Sequence, residues 1–124
     1  MVGHHYLIDV AGCDASTLND EEYLKKLLEA GAIFSGATVL KTESHKFSPQ
    51  GVTAFCLLSE SHISIHTWPE DGRAAIDMFT CGDCDSRAGV LLVADGLGGV
   101  ITANTLAYRC QDMIIPDYYE PLTA

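Results

Sequence analysis

The chain of 124 residues and 13.3 kDa sets 7 Lys+Arg against 17 Asp+Glu, a formal net charge of −10 with histidine neutral. That balance argues against a nucleic-acid binder, which needs a basic face to displace counterions, and against docking on anionic membranes. Hydrophobic residues at 48% suffice for a packed core in one domain spanning 1–124, and charged residues at 19% are too few and too interspersed for a disordered tail protein.

The longest apolar runs, Ala54 to Leu58 and Val90 to Ala94, fall far short of the roughly 20 residues of a membrane helix. Met1-Val2-Gly3-His4-His5 has neither a basic region nor a long apolar run, so no secretory signal is expected. The 5 cysteines, an odd number, fit a reduced cytoplasmic protein without a disulfide framework.

In chain order, His4 to Ala11 alternates and predicts a strand, and Asp14 to Asp20 is polar and turn-rich. Asn19 with Glu22 suggests a capping box, Leu24, Leu27 and Leu28 have helical spacing, and Gly31 is a plausible stop, so a helix is expected over 20–30. Thr38 to Phe47 predicts a strand, Ser48-Pro49-Gln50-Gly51 a turn, and Val52 to Ser59 an apolar strand. His62 to Thr67 alternates with period two, Trp68 to Gly72 turns, and Ala74 to Thr80 is a further strand. Ser86 to Leu97 predicts a helix ended by Gly98-Gly99, Val100 to Tyr108 a last strand, and the tail from Pro116 looks irregular. Short turns favour antiparallel pairing. The expected fold is α/β of the α+β type, a two-layer sandwich with two helices on one face of a mainly antiparallel sheet. The uncovered face suits a dimer.

Chemistry concentrates in Leu58-Ser59-Glu60-Ser61-His62-Ile63-Ser64-Ile65-His66-Thr67-Trp68-Pro69-Glu70. On a strand His62, Ser64 and His66 share one face and Ile63 and Ile65 the other. The four-residue step from His62 to His66 spans roughly 13 Å on a strand, too far for one ion, so no metal is expected at that pair. Cys81-Gly82-Asp83-Cys84 is a lone CxxC without a second pair, which the spacing alone leaves as two unrelated thiols or a weak redox motif. Gly96-Leu97-Gly98-Gly99 lacks dinucleotide spacing, and no phosphate loop or nucleophile elbow occurs.

Glu60-Ser61-His62, Ile65-His66-Thr67-Trp68-Pro69-Glu70 and Ala75-Ile76-Asp77-Met78-Phe79-Thr80-Cys81-Gly82 resemble the short prokaryotic S-adenosylmethionine decarboxylase proenzymes. Gly3-His4-His5, Gly12-Cys13-Asp14 and His45 to Val52 extend the resemblance over about the first 85 residues. It implies a pyruvoyl enzyme that cuts itself between Glu60 and Ser61, giving chains 1–60 and 61–124. Ser61 would become the pyruvoyl group and form a Schiff base with the substrate amine. By the same resemblance, His66 accepts the proton removed during processing and Cys81 donates the proton in decarboxylation. Thr53 stands where the family commonly has a serine assisting the first acyl shift. Phe47 and Glu70 correspond to substrate-side positions, with Phe47 stacking on adenine, and the rings of Phe47 and Trp68 favour an aromatic, adenine-sized ligand. The substrate would be S-adenosylmethionine, the product the aminopropyl donor for spermidine, and the active sites would lie between the protomers of a homodimer. Ornithine or arginine decarboxylation on the same scaffold, and an uncleaved homologue acting as a binding subunit, are the alternatives.

Overall fold

Alternation along the central strands decides which face each side chain takes. In the computed structural model, residues 2–59 and 61–110 and the backbone of 119–120 are described. The elements are β1 (Gly3–Ala11), α1 (Ala15–Leu18), α2 (Glu21–Phe34), β2 (Val39–Lys46), β3 (Val52–Leu58), β4 (His62–Trp68), a 3₁₀ turn (Pro69–Asp71), β5 (Arg73–Cys81), α3 (Ser86–Leu97), β6 (Val100–Arg109) and β7 (Tyr119–Glu120). They form one antiparallel sheet in the order β2-β3-β4-β5-β1-β6-β7.

One face is closed by helices. Val52, Ala54, Cys56 and Leu58 of β3, Ile63 and Ile65 of β4 and Ile76 and Met78 of β5 are buried there. Against them α2 buries Leu24, Leu27 and Leu28, and α3 buries Val90, Val93 and Leu97. This is the expected two-layer arrangement. The residues between them in sequence populate the other face, where Leu7, Phe55, Leu57 and Trp68 are exposed. Among the described residues no helix is long and apolar enough to cross a membrane.

Four local expectations are corrected. Helix α2 runs through Gly31 to Phe34. A glycine stop works by adopting positive φ, and Gly31 is not among the positive-φ glycines, whereas Gly98 (φ 73°) ends α3 in that way. Gly31 instead permits the crossing of α2 over α3, because a Cβ there would lie 2.9 Å from the carbonyl oxygen of Gly89 and 2.8 Å from Val93 Cγ2. The N-cap of α2 is Asp20, whose Oδ1 accepts from Tyr23 N at 3.1 Å, and not Asn19. Asn19 Oδ1 accepts from Gly51 N at 3.0 Å and ties the helix entry to the β2–β3 turn. The polar segment before it contains the short helix α1, capped by Asp14 accepting from Thr17 N. Finally, Tyr119–Glu120 pairs with β6 where an irregular tail is expected; the rest of that tail lies outside the described residues.

Gly31→Ala tests the crossing. In an open helix this change stabilises by up to about 1 kcal/mol. Here overpacking against a backbone carbonyl reverses the sign, and a loss of about 1–3 kcal/mol is expected in denaturant unfolding. An increase in stability would contradict the contact.

Candidate active site

Three groups of polar side chains occupy the sheet, at its two ends and its centre. The first surrounds Ser61. Leu58 N donates to the Ser61 carbonyl at 2.8 Å and Ser61 N donates to the Leu58 carbonyl at 3.4 Å, closing a two-residue hairpin turn between β3 and β4. Glu60 itself lies outside the described residues. The β4–β5 register pairs His62 with Phe79, and one further step sets Ser61 beside Thr80. Ser61, Thr80, Cys81 and Cys84 line one pocket of about 90 Å³. Thr80 is 2% exposed and its Oγ1 has no hydrogen-bond partner among the described residues. A buried hydroxyl without a partner is costly unless something in the pocket satisfies it. Sequence reasoning missed Thr80, and it left Cys84 as an unrelated thiol because spacing alone cannot place a turn residue in a pocket.

The second group sits at the other end of β4. Thr53 Oγ1 and His66 Nδ1 are 3.1 Å apart, on directly paired residues of β3 and β4. Phe47 follows β2, with its ring centroid 4.6 Å from that of His45. Trp68 ends β4, and Glu70 lies in the 3₁₀ turn after it. All these side chains except Thr53, which is half-buried, are exposed.

Ser61 and His66 are five residues apart along an extended strand, which is about 16 Å at 3.3 Å per residue. One chain therefore brings Ser61 to Cys81, and Thr53 to His66, but does not bring the two pairs together.

The third group fills the centre of the open face. Asp77 on β5 receives His5 Nε2 from β1 at 2.7 Å and His62 Nε2 from β4 at 2.9 Å, both on Oδ2. Ser64 Oγ donates to Oδ1. Behind this, Arg109 Nη1 on β6 lies 3.2 Å from His5 Nδ1, and its guanidinium lies over the Phe79 ring. His5, His62 and Asp77 are close enough together to suggest a metal cradle. The hydrogen bonds argue otherwise. Arginine can only donate, so His5 Nδ1 must accept and Nε2 carries the proton given to Asp77. A metal would need that Nε2 bare. No local spacing announces this network, because His5 and Asp77 are 72 residues apart in sequence.

Burial works to raise the Asp77 carboxyl, but the hydrogen bonds from His5, His62 and Ser64 together outweigh it and hold it well below the usual carboxylate range. The bond to Asp77 raises His62, against the opposing effect of its burial. The two have opposite pH signs. Stability from Asp77 is present above its unfolded pKa of about 3.9 and is lost as pH falls through the lower folded value. Stability from His62 is complete below about 6.5 and is lost as pH rises through its raised value. The stability gap between the unaltered chain and Asp77→Asn, measured by denaturant unfolding, should be widest between about pH 4.5 and 6.5. A gap constant from about pH 3 to 9 would contradict the network.

The family model for S-adenosylmethionine decarboxylase matches residues 4–105. The chain is 53% identical over 83 residues to the S-adenosylmethionine decarboxylase proenzyme of Prochlorococcus marinus (strain MIT 9313), covering 67% of this chain and 66% of that one. It is 52% identical over 82 residues to the proenzyme of the same name from Clostridium tetani (strain Massachusetts / E88), covering 66% and 65%. The match thus spans just under two thirds of the length of these relatives. The crystal structure of the adenosylmethionine decarboxylase from Aquifex aeolicus superposes with a TM-score of 0.75 at 31% identity, covering 94% of this chain and 96% of that one. With the family model spanning most of the sheet and helices α1, α2 and α3, the chain belongs to the S-adenosylmethionine decarboxylase family.

Proposed function

We propose that this chain is a proenzyme that cuts itself between Glu60 and Ser61 and then decarboxylates S-adenosylmethionine through a pyruvoyl group made from Ser61. The observation that carries the reading is the placement of Ser61 at a tight turn, in one pocket with Cys81 and with Thr80, whose buried hydroxyl has no partner among the described residues. That pocket is small enough for a single carbonyl group and brings the Cys81 thiol, a proton donor, beside Ser61.

For cleavage, Ser61 Oγ attacks the Glu60 carbonyl carbon, the C–N bond breaks, and the Oγ proton passes to the freed nitrogen. Removal of the Ser61 Cα proton then expels the Glu60 carboxylate, and water replaces nitrogen, which leaves as ammonia. A hydroxyl at Thr53 assists the first exchange and His66 takes the Cα proton in the second. Once formed, the pyruvoyl group supplies a carbonyl that binds the substrate amine and accepts electrons as CO₂ departs. Cys81 holds the proton that the substrate carbon then receives. Phe47 and Trp68 offer flat faces to an adenine and a sulfonium cation, and Glu70 offers a carboxylate.

Because His66 stands about 16 Å along β4 from Ser61, with Thr53 beside it on β3, we take the site to be completed by a second copy. The open sheet face, with Leu7, Phe55, Leu57 and Trp68 exposed around the Asp77 network, is the surface that two copies share. A second copy turned end for end would carry its own Thr53, His66, Phe47 and Glu70 toward the end of β4 that bears Ser61.

The names of the relatives favour S-adenosylmethionine over ornithine or arginine. Intact mass of the purified protein beside Ser61→Ala tests the cofactor. Two chains split after Glu60, the second carrying a pyruvoyl cap, are expected, with the variant uncut. CO₂ release should then occur with S-adenosylmethionine and not with ornithine or arginine. An uncut chain in both proteins would leave the binding-subunit reading. Thr53→Ala should slow cleavage by about tenfold or more, and Thr53→Ser should not; unchanged cleavage in Thr53→Ala would remove the hydroxyl from the mechanism.

A further inference from the structure

We infer that Asp77 is a positioning residue that holds the start of β4, and with it the reactive carbonyl at residue 61, after the Glu60–Ser61 bond has been cut. The inference rests on the proenzyme reading above. It concerns what happens to the structure once that reaction is complete.

In the uncut chain residue 61 is held from both sides. The turn links it covalently to β3, and two backbone hydrogen bonds pair it with Leu58. Cleavage removes the covalent link. It also removes the nitrogen of residue 61, so the 3.4 Å bond from Ser61 N to the Leu58 carbonyl cannot survive. Only the bond from Leu58 N to the residue 61 carbonyl remains. The reactive group then heads a new chain, and chain ends fray unless tied down.

The tie is the Asp77 carboxylate. One oxygen accepts from His62, the residue next to the reactive group, at 2.9 Å, and the other accepts from Ser64. Two successive outward-facing side chains of β4 are thus gripped by one rigid acid. Asp77 is itself fixed from the far side by His5 at 2.7 Å, and His5 by Arg109 at 3.2 Å. The anchor therefore bears on β1 and β6 as well as on the neighbouring strand. Charge-assisted hydrogen bonds of this kind are about twice as strong as neutral ones. A displacement of about 1 Å at a reacting centre costs on the order of a hundredfold in rate, so fraying by even one residue matters. None of these side chains needs to touch the substrate to exert the effect.

The discriminating feature is dependence on the cut. Amide hydrogen exchange at Ile63, Ser64 and Ile65 is compared in the unaltered protein, Asp77→Ala, Ser61→Ala and the double variant, after intact mass has established which are cleaved. Asp77→Ala is expected to speed exchange at these amides by about tenfold or more in cleaved protein, and by less than about threefold in the uncut Ser61→Ala background. In the cleaved variant kcat should fall with KM nearly unchanged. Equal effects in the two backgrounds would overturn the inference, since a merely structural contact acts regardless of the cut. No effect in cleaved protein would overturn it too. If Asp77→Ala is not cleaved, His62→Gln is carried through the same comparison with the same expectation. Failure of both variants to cleave while the unaltered protein does would assign the network to the cleavage step and overturn the inference. An uncut unaltered protein would instead bring down the proenzyme reading itself, which the mass spectrum reveals before any exchange is read.

Discussion

An extended strand advances about 3.3 Å per residue, and it cannot fold back on itself to bring its ends together. β4 carries Ser61 before its first residue, His66 near its last, and Trp68 at its end. That spacing divides the polar residues along and beside β4 into two half-sites. One holds Ser61 with Cys81 and the other holds Thr53 with His66. Everything proposed about assembly follows from the separation: a second copy turned end for end is the proposed way to join the halves.

The rest of the fold holds these strands in register. Each strand at the centre uses one side for packing and the other for polar side chains, so Ile63 and Ile65 lie fully buried under the helices while His62, Ser64 and His66 point the opposite way. A one-residue slip in register would exchange the two sets. The Asp77 network resists such a slip by joining β4, β5, β1 and β6 across the open side. On the covered side the glycine crossing of α2 over α3 draws the helices close to the sheet. Polar bonding on one face and apolar packing on the other thus constrain the same strands.

Much of this was legible from residues. Alternation in His62 to Thr67 gave the strand and its two faces, and the short turns gave antiparallel pairing. Local signals misled where tertiary contact decides the outcome. Gly31 has the composition of a helix stop but serves a helix crossing, and Asn19 has the spacing of a cap but binds the backbone of Gly51. The residues of the candidate site were legible only through the family resemblance, because Phe47 or Glu70 alone reads as an ordinary surface side chain. The central network was not legible at all. Its members come from four strands, with His5 and Arg109 far in sequence from the β4–β5 hairpin, and no periodicity within one strand marks an acid that two histidines will share.

Co-expression of two differently tagged chains, Ser61→Ala and His66→Ala, tests the divided site most directly. In a mixed dimer, the His66→Ala chain keeps its own Ser61 and can borrow His66 from the partner. The mass spectrum of the purified mixed dimer should show the His66→Ala chain cut after Glu60, although it stays whole when expressed alone. If it stays whole in the mixed dimer as well, or is cut equally when expressed alone, the two half-sites do not meet across the interface and the account is wrong.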